Sequence, residues 1–273
     1  TEGERLRRLI GGSSVVESVQ IAALEVLASG AGRGLLEAVR RARASRFEAV
    51  RERAIALQRQ LPIKEALRLY RLDLAGPSIA LQRAALRSLG GVEDPTAGRI
   101  LEAWLDRLLT GGVPGELVLD VIDGATQSSF QPLAPKLAEY EKRRPKDDRF
   151  SAYRETLEGG SASRGRRLFW ERQDLACARC HKIGEEGGDV GPNLTGLGGR
   201  LSRERVLQSI LYPNEEVTTG YASVAVELRD GGFYAGIVKS ESETELILNS
   251  LEDGEVVLSK EAIASRSVGL SAM

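Results

Sequence analysis

The sequence predicts a mainly α-helical protein with a small β insert, and three observations lead to this fold class. From residue 12 to about residue 141, apolar side chains recur at the spacing of amphipathic helices. A charged run that contains a proline, residues 141–149, follows and indicates a domain junction. After Pro213 the apolar period shortens to two residues, which is typical of β-strands.

The length and composition agree with two folded domains. At roughly 100 to 200 residues per domain, a chain of 273 residues is expected to hold about two. The 42% of hydrophobic residues is enough to bury a core and excludes disorder of the whole chain. We place a helical domain at residues 1–145 and a second domain at 150–273, with a β insertion at about 218–260.

The charge balance limits the classes of partner. The chain has 38 Lys and Arg against 39 Asp and Glu, so its net charge is -1 and we expect no nucleic acid partner.

No stretch approaches the roughly 18 apolar residues of a membrane-spanning helix, so we expect no direct membrane insertion. The chain begins at Thr1 without a signal segment, and we expect it to be a processed or excised piece. The oligomeric state is left open.

The first domain carries a weak internal repeat. Glycines and prolines divide it into helices of roughly 10 to 17 residues. Three stretches, residues 22–27 (AALEVL), 53–57 (RAIAL) and 84–89 (AALRSL), resemble one another at a spacing of about 30 residues. The repeat favours a HEAT-like α-helical repeat domain, and an irregular helical bundle is the alternative. This domain contains no Cys or His, and we assign it no catalytic residue.

The second domain begins with helices and continues into strands. A short helix is expected at residues 163–170, and Ser202 is expected to cap a helix that runs to residue 211. A turn at residues 230–232 predicts a hairpin within a β-meander. The strands of the meander are expected at residues 221–228, 233–239, 244–248 and 255–258.

The rare residues point to the chemistry of the second domain. The chain has two Cys, one His and one Met, and Cys177, Cys180 and His181 fall within five positions. C-x-x-C-H is the attachment signature of c-type haem. On a short helical turn, the two thiols reach the two vinyl groups of one porphyrin, and the imidazole of the next residue is held beneath the iron. The sequence therefore predicts one covalent haem c, and with it a periplasmic or otherwise extracytoplasmic location.

Two other interpretations of the cluster fit less well. A zinc site needs four protein ligands, or three and a water, and no second cluster completes the set. A thioredoxin-like C-x-x-C motif would need a βαβ context, which the surrounding pattern lacks.

The flanking sequence carries a family resemblance. Residues 165–169 (GRRLF), 177–183 (CARCHKI) and 191–195 (GPNLT) resemble a class I cytochrome c. The longer run through residues 201–202, 210–214 (ILYPN) and 220–221 resembles the haem-binding domain of Pirellula/Verrucomicrobium type. The resemblance covers about residues 160–273 closely and the helical part only loosely. In that family a β-insert separates the haem motif from a late Ser-x-Met, and HEAT-like repeats often precede the domain in a larger chain headed by a dehydrogenase propeller.

The resemblance implies roles for individual residues. His181 would be the proximal iron ligand, and the carbonyl of Pro192 would accept its Nδ1–H. Met273, within the sequence LSAM, would be the distal ligand. The chain has no second His for a bis-His site, although a lone Met is more often core filler. A His/Met iron has a raised potential and no open position for a substrate, which is typical of an electron carrier.

These expectations favour an electron-transfer module that is not an enzyme by itself. Its haem would shuttle electrons between a dehydrogenase, either in the same longer chain or in a partner protein, and a cytochrome or other redox protein. A five-coordinate haem sensor or peroxidase-like module is one alternative, in which Met273 does not ligate. A helical protein-binding scaffold with a structural haem is the other.

Overall fold

The computed structural model describes residues 2–30, 34–271 and 273. It is mainly helical with small antiparallel sheets, as the sequence predicts. The chain divides into two compact units, residues 1–163 and residues 164–273. Within the described ranges, no helix is both long enough and apolar enough to cross a membrane.

The first unit consists of helices joined by short turns. Among the described residues these helices are α1 (Glu2–Leu9), α2 (Glu17–Ser29), α3 (Leu35–Ala42), α4 (Glu48–Leu57), α5 (Ile63–Ala75), α6 (Ile79–Gly90), α7 (Pro95–Leu109), α8 (Gly115–Gln127) and α9 (Leu133–Lys142), with 3-10 helices at Gln58–Gln60 and Ser151–Leu157.

Alternate helices of this unit pack side by side. Helix α2 contacts α4, α4 contacts α6, and α6 contacts α8, while α7 contacts α9 in the same way. Most helices that follow one another along the chain also pack together, and one continuous apolar core extends from α2 to α9. Helices α6 and α8 approach each other closely, since a Cβ on Gly90 would lie 2.5 Å from the carbonyl oxygen of Gly124. A larger residue at Gly90 would push these two helices apart.

A buried ionic network joins three helices of the first unit. The carboxylate of Asp120 in α8 accepts from Arg83 at 2.7 Å and also pairs with Arg87, both in α6. Arg87 lies 3.7 Å from Glu52 in α4. Glu52 in turn accepts a hydrogen bond of 2.8 Å from the hydroxyl of Ser163. The network therefore fixes the end of the first unit to its helices.

The charged run at residues 141–149 lies inside the first unit. Arg144 pairs with the largely buried Glu155 at 2.8 Å, which fastens the 3-10 helix Ser151–Leu157 to the end of α9. The first unit accordingly extends beyond the predicted residue 145, and the second begins at residue 164 rather than 150. The difference arises because residues 150–163 pack back on the helices through partners that are distant in sequence.

The second unit opens with short helices, the first of which begins at the last two residues of the first unit. These are α10 (Ala162–Glu171), α11 (Cys177–Cys180), α12 (Leu197–Arg200) and α13 (Arg203–Leu211), with a two-stranded hairpin of β1 (Lys182–Ile183) and β2 (Glu186–Gly187) after α11. Ser202 caps α13 as predicted, because its hydroxyl accepts the backbone N–H of Arg205 at 3.2 Å.

An antiparallel five-stranded sheet follows α13. Its strands are β3 (Ser223–Leu228), β4 (Phe233–Glu241), β5 (Glu245–Ser250), β6 (Gly254–Ser259) and β7 (Ile263–Val268), in the order β6-β5-β4-β3-β7. Four of these strands match the predicted meander. The fifth, β7, was not predicted, so the sheet spans residues 223–268 rather than about 218–260. Its sequence, IASRSV, has too few apolar residues to reveal a strand.

The sheet has an apolar cluster of its own. The buried members are Val224 and Val226 of β3, Leu246 and Leu248 of β5, and Leu258 of β6, and Ile263 of β7 packs against them. The cluster therefore joins strands from one edge of the sheet to the other.

We expect Asp120→Ala to lower the free energy of unfolding of the first unit by roughly 3–5 kcal/mol, because it removes the carboxylate that two largely buried guanidinium groups share. Urea unfolding followed by far-ultraviolet circular dichroism measures the loss. Asp106→Ala is the matched control, since Asp106 has a side chain that is 57% exposed and its partner Lys136 keeps Glu102 at 3.4 Å. The control should lose less than about 1 kcal/mol. Equal losses in Asp120→Ala and Asp106→Ala would show that the buried network contributes no more to stability than the exposed ion pair.

Candidate functional site

Helix α11 is a single turn that places the two cysteines on one side. Cys177 and Cys180 are three residues apart, a spacing that brings side chains to the same helical face. The N–H of His181 donates to the carbonyl of Cys177 at 2.9 Å, and at His181 the backbone becomes extended. All three side chains are partly buried. Ala176, just before the turn, has a φ of 50°, a left-handed conformation that is uncommon for Ala.

The residues after the hairpin wrap around this turn through backbone hydrogen bonds. The N–H of Gly188 donates to Ala178 at 3.0 Å, and the N–H of Gly191 donates to Cys180 at 2.6 Å. Further along, the N–H of Leu194 donates to Lys182 at 2.8 Å. The segment that carries Pro192 is thereby fixed beside His181.

The predicted pair of His181 and Pro192 is present in the structure. Nδ1 of His181 lies 2.9 Å from the carbonyl oxygen of Pro192. A carbonyl oxygen can only accept a hydrogen bond, so the proton must be on Nδ1. The neutral ring then presents the lone pair of Nε2, which is the form of imidazole that binds a metal.

Glycines make this close packing possible. A Cβ on Gly191 would lie 2.8 Å from both Nδ1 and Cε1 of the His181 ring. A Cβ on Gly187 would collide with the carbonyl oxygen of His181, and one on Gly188 with that of Arg179. Sequence reasoning did not single out Gly187 or Gly188. The density of glycines at residues 184–191 is the signal that was present in the sequence.

Polar contacts hold the loop that carries Pro192. The guanidinium of Arg200 donates to the carbonyls of Asn193 at 3.2 Å and Thr195 at 3.1 Å. The hydroxyl of Thr195 accepts the N–H of Gly184 at 2.7 Å, which ties the loop to the hairpin. The sequence offered no motif for these contacts, because they join residues through backbone groups.

The described hydrogen bond of Met273 is with a neighbouring residue rather than with the residues around His181. Its side chain is 55% exposed, and its N–H donates to the hydroxyl of Ser271 at 3.2 Å. The N–H of Ser271 donates to Oδ1 of Asn214 at 2.7 Å. The structure thus brings together Cys177, Cys180, His181 and Pro192, whereas the hydrogen bond of Met273 is with its own segment.

The helical part of the second unit leaves its apolar side chains uncovered. None of residues 164–223, all of which the structure describes, is buried. Helices α10 and α13 make only sparse contacts with the other described elements. Large apolar side chains stay exposed, namely Leu168, Leu175, Ile183, Leu201, Ile210 and Val217. This part of the second unit therefore has no buried apolar core of its own.

The donor set is two thiols and one imidazole. Neither cysteine is in a disulfide. Burial raises the pKa of the Cys180 thiol. Across the described part of the chain, no group of three or more His, Cys, Asp or Glu side chains could hold a metal ion on its own. The residues present therefore fit a group that is bound through both sulfurs and a single imidazole.

No protein-family model matches the chain, and the comparison with curated proteins gives no match either.

We expect Gly191→Ala to break the hydrogen bond between His181 and Pro192, because the new Cβ would overlap the imidazole. The overlap should also cost about 1–3 kcal/mol in the free energy of unfolding of the second unit. Because the chain has one His, the imidazole N–H signal in ¹⁵N-resolved NMR reports this bond directly. Gly198→Ala is the control, since nothing lies within 4 Å of its added Cβ. A retained N–H signal in Gly191→Ala would show that the contact with Gly191 does not hold the ring.

Proposed function

We propose that the second unit is a monohaem cytochrome c domain, similar to class I cytochromes c, that transfers electrons. One observation carries the proposal: Cys177 and Cys180 lie on one helical turn, and the next residue, His181, has its Nδ1 2.9 Å from the carbonyl of Pro192. Cys177 and Cys180 would hold haem c through thioethers, and His181 would bind the iron through Nε2. When bound, haem supplies a one-electron iron couple.

The surroundings of His181 support its role as the proximal ligand. The hydrogen bond to Pro192 fixes the ring orientation and increases the basicity of Nε2. Gly191 packs against the ring and leaves it little room to rotate. Together these contacts would present a preoriented ligand, so that little rearrangement of the chain accompanies electron transfer.

The exposed apolar side chains of residues 164–223 also support the proposal. A folded segment of this length without a buried residue lacks a core of its own. A large planar apolar group in contact with these side chains would remove their surface from water, at roughly 25 cal/mol per Å². The helices α10 and α13 would then pack on the group rather than on each other.

Met273 is the residue we propose as the distal ligand. With His181 and Met273 both bound, the iron would have no open position, which favours an electron carrier over a substrate-activating centre. The donor would be a dehydrogenase, either in the same longer chain or in a partner protein, and the acceptor a cytochrome or another redox protein. The site would function in the periplasm or another extracytoplasmic compartment, where haem is attached to such motifs.

For the first unit we propose a HEAT-like repeat that positions the haem domain or docks a partner. The contacts of α2 with α4, of α4 with α6, and of α6 with α8 support a stack of helix pairs. The unit has a slight excess of basic residues, 25 against 22 acidic residues over positions 1–160. The remaining residues hold 13 basic and 17 acidic side chains, so an acidic haem domain would favour a partner with a basic patch.

Haem attachment is tested directly by mass. Produced in a bacterial periplasm with cytochrome c maturation, the chain should gain the mass of one haem and show the pyridine haemochrome spectrum of two thioethers. Cys180→Ala should shift that spectrum to the form for one thioether, and the Cys177→Ala/Cys180→Ala variant should lose covalent haem altogether. A wild-type chain with the mass of the bare polypeptide under these conditions would contradict the proposal.

A five-coordinate haem is the second candidate, and the 55% exposure of the Met273 side chain favours it. The ferric spectrum distinguishes the electron carrier from the five-coordinate haem. In the carrier, wild type shows the charge-transfer band of Met bound to iron, and Met273→Ala loses it. A high-spin wild-type spectrum that changes at once with cyanide, or with carbon monoxide after reduction, would contradict the carrier and support a sensor or peroxidase-like module.

A further inference from the structure

Two polar residues hold the segment that ends in Met273. We use "C-terminal segment" for Gly269–Ser271 together with Met273. It follows β7 and lies against two parts of the chain that are far away in sequence. One is Asn214, just after helix α13, and the other is Ser223, the first residue of β3.

Asn214 is linked to Met273 by a chain of two hydrogen bonds. Its side-chain oxygen accepts the N–H of Ser271 at 2.7 Å. The hydroxyl of Ser271 then accepts the N–H of Met273 at 3.2 Å. Because the first bond fixes the Ser271 backbone and the second fixes that of Met273, the position of Met273 depends on Asn214.

Ser223 holds the beginning of the same segment. The N–H of Gly269 donates to the carbonyl of Ser223 at 2.9 Å, and the hydroxyl of Ser223 donates to the carbonyl of Leu270 at 2.7 Å. A Cβ on Gly269 would lie 2.5 Å from this hydroxyl, so Gly at this position permits the contact. The pairing of β3 with β7 thus continues into the C-terminal segment through a side chain.

Hydrophobic burial does not hold this segment. Leu270 is 79% exposed and Met273 is 55% exposed, so neither gains much from removal of apolar surface from water. The hydrogen bonds with Asn214 and Ser223 are therefore the main described restraints on the segment. A hydrogen bond of this kind is enough to bias an exposed segment towards one conformation.

We propose that Asn214 and Ser223 are positioning residues that set the place of Met273. This inference rests on the proposed function, in which Met273 is the distal ligand. Neither residue would touch the haem iron. They act by restraining the backbone on both sides of Leu270, which limits the positions that the Met273 sulfur can reach.

The first test does not depend on the ligands of the iron. In amide hydrogen exchange on the 273-residue chain produced with cytochrome c maturation, Asn214→Ala should raise the exchange rate of the Ser271 and Met273 amides roughly threefold to tenfold. Asn214→Asp should keep the wild-type rate, since a carboxylate oxygen still accepts the bond. Asn249→Ala makes the same chemical change on β5 and should leave the rate unchanged. Equal rates in Asn214→Ala and Asn249→Ala would overturn the inference.

The second test measures, in the haem-loaded chain, the pH at which Met is lost from the iron. As pH rises, the ferric band of Met bound to iron is lost when another ligand replaces Met. Asn214→Ala should lower the midpoint of this change by about half to one pH unit, and Asn214→Asp should restore it. Ser223→Ala should lower the midpoint less, because the backbone bond between Gly269 and Ser223 remains.

The two tests separate the inference from the proposed function. If wild type lacks covalent haem or the Met band, the proposed function is contradicted, whatever the exchange rates show. If wild type has the band and its midpoint is the same in Asn214→Ala, the positioning role is overturned while the proposed function stands. Faster exchange of the Ser271 and Met273 amides in Asn214→Ala, together with a lower pH midpoint, supports both the positioning role and the proposed function.

Discussion

The hydrogen bond between His181 and Pro192 is the constraint around which the candidate site is organised. It requires the segment after the β1–β2 hairpin to return against helix α11, and the backbone bonds of Gly188 and Gly191 are the means of that return. The same return forces glycine at positions where a Cβ would strike the imidazole or its neighbouring carbonyls. One side-chain orientation therefore explains the glycine content, the loop path and the tautomer of the only His in the chain.

The two units obtain their stability in different ways. The helical unit has a continuous apolar core and buries its ionic groups only where a partner satisfies them, as Asp120 does with two arginines. In the second unit, the sheet buries a small apolar cluster, whereas residues 164–223 bury no residue. Stability around the candidate site thus depends on what covers its apolar side chains.

Sequence reasoning succeeded where the signal is local. The cap at Ser202 and four strands of the sheet were predicted from local patterns, whereas the contact of His181 with Pro192 was implied by the family resemblance. It failed where a partner is distant in sequence. Strand β7 has a polar pattern and pairs with β3, from which three other strands separate it along the chain. The end of the first unit depends on the hydrogen bond between Ser163 and Glu52, which are also far apart in sequence. A local sequence pattern does not report which distant segment a residue will contact.

The order of the strands has a consequence for how the second unit could have arisen. Because β7 pairs with β3, the chain leaves the sheet beside the point where it enters: Val224 and Val268 are register partners, about 5 Å apart. The sheet is therefore an insertion whose two ends are adjacent, so it adds length to the chain without displacing the residues after β7. Insertions whose ends meet in this way are readily tolerated. This insertion could be shortened, enlarged or replaced by another fold while the C-terminal segment kept its hydrogen bond with Asn214, just after α13.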